Sequence, residues 1–217
     1  MESTSATSTP RTKIKRLPER GSYENRTIEA ILDEGLICHV GFVHDGQPFV
    51  IPTIHARVGD TLYLHGSPAS RMLRSIRDQP ICVTVTLLDG LVLARSHFHS
   101  SMNYRSVVAL GTGREVTDPA EKMTAFEAVV EHVARGQWDS ARRPTNKELK
   151  ATSIIAMELS EASAKIRTGD PEDDEEDYEL DIWAGVIPIS TAFGPPIDDE
   201  RLNQSVSVPP HLLDYER

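Results

Sequence analysis

Three short stretches of the 217-residue chain carry side chains whose types and spacing suit chemistry. The first is His65-Gly66-Ser67-Pro68-Ala69-Ser70-Arg71. Gly66 lets a ligand approach the backbone, and the Ser67 and Ser70 hydroxyls and the free N–H groups of a following helix point at whatever lies there. Arg71 can fork two hydrogen bonds onto a phosphate, and Arg74 adds charge one turn on. These residues fit an anion site and an ordinary Ser-Pro helix cap with solvated arginines equally well. The second stretch, Asn103-Tyr104-Arg105-Ser106, offers groups for a heterocycle's carbonyls and ring nitrogens and a tyrosine to stack on it; it suits a strand edge with a surface arginine as well. The third, His97-x-His99, sets two imidazoles on one side of an extended segment, a metal or haem arrangement that His55 or His65 would complete. No acidic or Cys ligand at metal spacing accompanies the pair, and in a chain with eight histidines it is unsurprising, so no metal site is expected. There is no G-x-S-x-G elbow and no P-loop, and Gly111-Thr112-Gly113 lacks the third glycine of a dinucleotide fingerprint.

These stretches must be held by strands and a few helices. Thr27 can cap a short helix with Ile28, Ile31 and Leu32 on its apolar face and Gly35 at its end. Apolar, β-branched-rich runs at 36–43 and 48–57 flank His44-Asp45-Gly46-Gln47, a hairpin signal, and a strand at 61–65 follows. From 67 to 77 the period changes: Ala69, Met72, Leu73 and Ile76 form a helical stripe, with Ser67 as cap and Pro68 in the first turn. A second hairpin is expected from 81–88, a turn at Asp89-Gly90, and 91–95. A long strand over 104–116 comes next. Asp118-Pro119 opens a helix to about Arg135 that buries Met123, Phe126, Val129, Val130 and Val133. After a loop over 138–150, residues 153–159 make the last clear strand. Short hairpins with inserted helices imply a mainly β chain, an antiparallel barrel with helical additions, and exclude a doubly wound parallel sheet.

Composition sets the outer bounds. With 39% hydrophobic and 26% charged residues, and no apolar run near the roughly 18 residues of a membrane span, a soluble domain is expected, with no membrane partner. The start is polar, without the apolar stretch of a secretory signal, which points to the cytoplasm. Cys38 and Cys82 sit in apolar runs as small buried hydrophobes. Of the net charge of −10, seven negative charges lie in residues 170–177, read as a solvated, disordered acidic loop. Arg11, Lys13, Lys15, Arg16 and Arg20 make the beginning basic, but the overall charge disfavours a nucleic-acid partner. The expected organisation is a flexible basic segment over 1–22, one domain over 23–190 and a tail over 191–217.

The order of motifs resembles the FMN-binding split-barrel proteins related to pyridoxamine-phosphate oxidase, in the branch of nitroimidazole-resistance reductases and flavin-nucleotide-binding proteins. The resemblance is carried by Arg16-Leu17-Pro18-Glu19-Arg20-Gly21, Val40-Gly41-Phe42, Leu62-Tyr63-Leu64-His65-Gly66-Ser67, Asn103-Tyr104-Arg105-Ser106-Val107-Val108 and Trp183-Ala184-Gly185-Val186-Ile187-Pro188, with the segments around 48–52 and 84–92. It implies an antiparallel split β-barrel and a homodimer holding FMN in clefts at its interface. Ile51, Pro52, Thr53 and Ile54 would line the isoalloxazine. His65, Gly66 and Ser67 would approach the ribityl-phosphate, Ser70 and Arg71 would bind the phosphate, and Met72 would adjoin it. Asn103, Tyr104, Arg105 and Ser106 would touch the flavin, and Trp183 would approach the ring from the partner subunit. The Arg-x-His with which true pyridoxamine-phosphate oxidases hold substrate has no equivalent. The implied activity is FMN-dependent reduction of a small planar or nitro-aromatic compound by hydride transfer from an electron donor, with no catalytic side chain required. The alternative is a non-catalytic flavin or haem carrier or sensor of the same fold.

Overall fold

The computed structural model describes residues 8–216. Two antiparallel sheets form a split barrel. In chain order the elements are β1 (Gly21–Ser22), α1 (Asn25–Glu34), β2 (Cys38–His44), β3 (Gln47–Thr53), β4 (His55–Val58), β5 (Thr61–Gly66), α2 (Arg71–Ser75), β6 (Pro80–Leu93) and β7 (Ser101–Thr112). They continue as β8 (Arg114–Glu115), α3 (Pro119–Val133), α4 (Gln137–Ser140), α5 (Asn146–Lys150), β9 (Ser153–Glu158), β10 (Glu161–Arg167) and β11 (Gly185–Pro188). The larger sheet runs β1-β10-β7-β6-β2-β3, with β11 paired to the second half of β6; the smaller runs β4-β5-β9-β8.

Alternation decides which faces meet. Along β2, Cys38, Val40 and Phe42 point inward, and Val83 and Val85 of β6 and Val107 and Ala109 of β7 do the same. They close on Leu62 and Leu64 of β5, Ile155 and Met157 of β9, and Ile28, Ile31 and Leu32 of α1. Each such side chain contributes about 1.5–3 kcal/mol by burial. β9 is buried on both faces because α3 covers its other side, packing Ala125 and Phe126 on Tyr63, Ile154 and Ala156. Gly35 ends α1, its N–H bonded to Ile31 O; a Cβ there would collide with Val85, so the helix lies directly on the barrel.

Two Asp-Gly pairs behave oppositely. Asp45 and Gly46 both adopt positive φ (50° and 75°) and make the expected tight hairpin between β2 and β3. Neither Asp89 nor Gly90 is among the residues with positive φ, and the expected second hairpin does not form. Instead β6 is one 14-residue strand with a register shift between Leu88 and Gly90, and its hairpin partner is β7. Gly90 serves close packing: a Cβ there would stand 2.9 Å from Val186 Cγ1 of β11.

Other expectations are also corrected. The run over 48–57 splits into β3 and β4, which belong to different sheets. The helix expected over 67–77 shrinks to the five residues of α2, capped by Ser70 rather than Ser67. Its end is drawn onto Gly113, whose carbonyl accepts from Asp78 N at 2.6 Å. α1 is capped at Glu24, not Thr27, and Val133 of α3 is exposed rather than buried. The part of the expected flexible start within the described residues lies along the barrel: Arg11 pairs with Glu161, Thr12 is buried, and β1 pairs with β10. Residues 1–7 of that segment lie outside the described residues. The acidic stretch is anchored, not free. Asp173 has a fully covered side chain that accepts from Arg95 N (2.9 Å) and Arg95 Nη1 (3.1 Å), and Arg95 lies over the Tyr178 ring.

Among the described residues no helix is long and apolar enough to cross a membrane.

Candidate functional site

β5 delivers the chain to Gly66 at the rim of the smaller sheet, where a tight turn precedes α2. Ser70 N donates to Ser67 O (2.8 Å), Ala69 N to Ser67 Oγ (3.2 Å), and Leu73 N to Ser70 Oγ (3.4 Å). Both serine oxygens thus accept from the turn's own backbone and keep their O–H hydrogens for something else. Leu73 and Met72 are buried and pin α2 in the core, so Met72 anchors the turn by its side chain. A five-residue helix has little macrodipole, so what the turn offers an anion comes mainly from side chains.

Arg71 is exposed and lies over the Phe49 ring of β3, 4.4 Å from its centroid. Among the described residues neither Arg71 nor Arg74 has a carboxylate partner, whereas Arg77 pairs with Glu115 at 2.8 Å. The aromatic face fixes the Arg71 guanidinium while leaving its donors free. β3 is the edge of its sheet: Phe49 and Ile51 pack inward, and Val50 and Pro52 face out. Thr53 and Ile54 mark the passage to β4, so Ile51, Pro52, Thr53 and Ile54 do adjoin the strand on which Arg71 rests. His65 is half-buried, its Nδ1 covered and without a hydrogen-bond partner; burial pushes its pKa below the usual imidazole value, which keeps it neutral at pH 7.

The second stretch is differently placed. β7 is separated from β3 by β6 and β2, three strand spacings or about 14 Å. Its polar groups are already engaged. Asn103 is buried, accepting from Arg167 Nη1 and donating to Gly169 O at 3.0 Å. Arg105 forks onto Glu34 (Nη2 to Oε1, 2.8 Å) and Asp89 (Nη2 to Oδ1, 2.7 Å; Nε to Oδ2, 3.0 Å), bonds that hold its pKa far above the ordinary guanidinium value. Ser106 Oγ donates to Lys165 O at 3.2 Å, and Tyr104 stands opposite Leu88. Trp183 is exposed and packs its ring on Gly185, beside the far half of β6. One chain therefore brings residues 51–54 and 65–72 together and leaves 103–106 and Trp183 elsewhere.

His97 and His99 do not gather a ligand set. His99 Nε2 meets Asp174 Oδ2 at 3.3 Å, His55 is buried against His132, and no group of three His, Cys, Asp or Glu residues arranged for a metal occurs among the described residues.

Two features escaped sequence reading. Phe49 under Arg71 carries no local signal, because the pair meets only through the β3 hairpin. The other is a groove of about 1220 Å³ between the end of α1, the middle of β6 and two stretches of the C-terminal strap, 189–196 and 213–216. The strap has no periodicity to announce it; its stretches are joined by the Phe193 and Tyr215 rings, 5.0 Å apart.

Against known proteins, the sequence profile of the family described as Pyridoxamine 5'-phosphate oxidase matches residues 24–166. The flavocytochrome Anf3 of Azotobacter vinelandii superposes with a TM-score of 0.89 at 42% identity, over 94% of this chain and 95% of that one. A FAD and haem binding protein of Mycobacterium smegmatis gives 0.85 at 34% identity, over 90% of this chain and 98% of that one. A Bacteroides thetaiotaomicron protein assigned to 5-nitroimidazole antibiotic resistance gives 0.57 at 23% identity, over 67% and 86%, a likeness of fold. No curated protein matches. With a profile match over most of the barrel, and near-complete coverage by relatives above 30% identity, the chain belongs to the pyridoxamine 5'-phosphate oxidase-like family.

Proposed function

We propose that this chain is a flavin-nucleotide-binding redox protein that also takes haem, working as a homodimer. The observation that carries the reading is the near full-length likeness, at 42% and 34% identity, to a flavocytochrome and to a FAD and haem binding protein. The site agrees with it. Arg71, braced on Phe49 and with no carboxylate partner among the described residues, stands beside two serine hydroxyls, a set suited to a flavin's phosphate. The terminal phosphate of FMN, the sequence expectation, and the corresponding phosphate of FAD present the same group to it. The bound flavin would supply hydride and electron transfer; the protein's part is to hold and orient it, with neutral His65 adding no charge beside the turn. The nitro-aromatic reductase expectation has only a likeness of fold behind it.

Pairing of two copies would unite the divided site. The outward face of the larger sheet exposes Val50 (66%), Leu88 (49%), Met102 (48%) and Val108 (39%), apolar surface suited to a second subunit. Free Cys38 and Cys82 fit a reducing, cytoplasmic setting; burial pushes the Cys38 thiol up to about 12.

The test is the visible spectrum of the purified protein with mass identification of what it releases, alongside sedimentation. A flavin band, a Soret band and a dimer are expected. A colourless protein that takes up neither added flavin nor haemin, or a monomer that holds flavin, overturns the corresponding part.

A further inference from the structure

Resting on that reading, we infer that the groove under the C-terminal strap is the haem site and that His39 would ligate the haem iron. Three observations carry this. The first is size and lining: about 1220 Å³, somewhat above the range of about 300–1000 Å³ usual for ligand pockets, and walled by Leu36, Ile37, Leu87, Leu88, Phe193 and Pro195. Such a wall suits a flat apolar macrocycle.

The second is the donor. Of the eight histidines, His39 is the one that lines the groove. It stands exposed on the outward side of β2, between Pro52 of β3 and Thr84 of β6, and its imidazole makes no hydrogen bond among the described residues. The others are placed differently. His44 is bonded to Ser75, His99 to Asp174, His132 to Gly35 O and His211 to Gln137, and His55 is wholly buried against Leu32 O. His65 and His97 lie outside the groove.

The third is charge. Within the groove Glu34 and Asp89 share the single guanidinium of Arg105, and Asp214 and Glu216 add to the negative side, so a flavin phosphate is repelled here and attracted to Arg71. Haem's two propionates carry the same sign as these carboxylates and would lie at the open mouth of the groove, away from them. The two sites are nonetheless close: His39 pairs with Pro52, three residues or about 10 Å along β3 from the Phe49 that carries Arg71.

The experiment titrates haemin into wild type, His39→Ala, His39→Met, His65→Ala and His97→Ala, reading the Soret band and the flavin content together. Wild type, H65A and H97A should give the same Soret band. H39A should lose at least tenfold in haemin affinity and regain the wild-type spectrum on adding imidazole, and H39M should bind with a displaced band, both His39 variants at unchanged flavin content. Since His39 is exposed and unbonded, thermal unfolding of the haem-free H39A should match that of wild type. An unaltered Soret band in H39A and H39M, or its loss in H65A or H97A, overturns the assignment while leaving haem binding intact. Absence of a Soret band in wild type overturns the underlying reading itself.

Discussion

Arg71 and Arg105 sit in the two stretches the sequence marks as a ligand site, and the fold treats them differently. Arg105 is clasped by two carboxylates, while its neighbours Asn103 and Ser106 are bonded to Arg167, Gly169 and Lys165. Arg71 has an aromatic ring beneath it and, among the described residues, no carboxylate partner. A polar group engaged inside its own chain has little left for a ligand, whereas a guanidinium held in place with its donors unspent is ready for one. The difference separates a girder of the barrel from the proposed receptor for phosphate, though both read as an arginine beside serine.

The sharpest way to break that contrast is Arg71→Ala. Loss of a charge-assisted bond of about 1.5–3 kcal/mol should weaken FMN and FAD binding roughly ten- to a hundredfold and leave riboflavin almost unaffected. Titration of all three flavins checks it; equal losses for riboflavin would mean a damaged fold instead of a missing phosphate contact. Next comes Asn103→Leu, which strips the buried Arg167 of one acceptor. It should cost about 2 kcal/mol, lowering Tm by roughly 4–8 °C, as read by calorimetry of the apoprotein. Arg105→Met should be milder, about 1 kcal/mol or less, because Arg105, Glu34 and Asp89 are all partly solvated. Its flavin affinity should stay at the wild-type level; a loss exceeding that of Arg71→Ala would invert the comparison.

The smallest effect concerns the acidic stretch. Burial opposes ionisation of Asp173, but the bonds from Arg95 and Ser96 outweigh it and set its pKa below the ordinary value. The anchoring contribution is therefore complete above the unfolded value of about 3.9 and is lost only as pH falls through the lower folded one. Tryptophan and tyrosine fluorescence from the neighbourhood of Tyr178 and Trp183 should stay level from pH 7 to about 4 and change below that. A transition already complete above pH 5 would mean that the Asp173 carboxylate does not anchor this segment.

What could be read beforehand was what depends on neighbours in sequence. The Asp45-Gly46 hairpin and the helix opened by Asp118-Pro119 are local signals and form as expected, with Asp118 accepting from Glu121 N. The turn at 66–71 was legible for the same reason. Asp89-Gly90 misled because Val186, nearly a hundred residues on, fills the space beside the glycine and β6 runs on through it. β10 went unseen because its centre, Ala162-Ser163-Ala164, has small side chains where a strand signal needs branched ones; the room they save is taken up by β7 and the core. The acidic stretch was judged by its charge density, and one covered carboxylate meeting Arg95 was enough to tie it down. Whether an arginine is spent cannot be read locally either, since Glu34 and Asp89 reach Arg105 from α1 and β6.

β3 closes the larger sheet with proline at 48 and 52, each lacking the N–H that a further strand would need. The rim is thereby poorly suited to templating: a strand from another chain finds donors missing at two places along seven residues, and sheet-to-sheet growth of the kind that leads to fibrils is discouraged at this border.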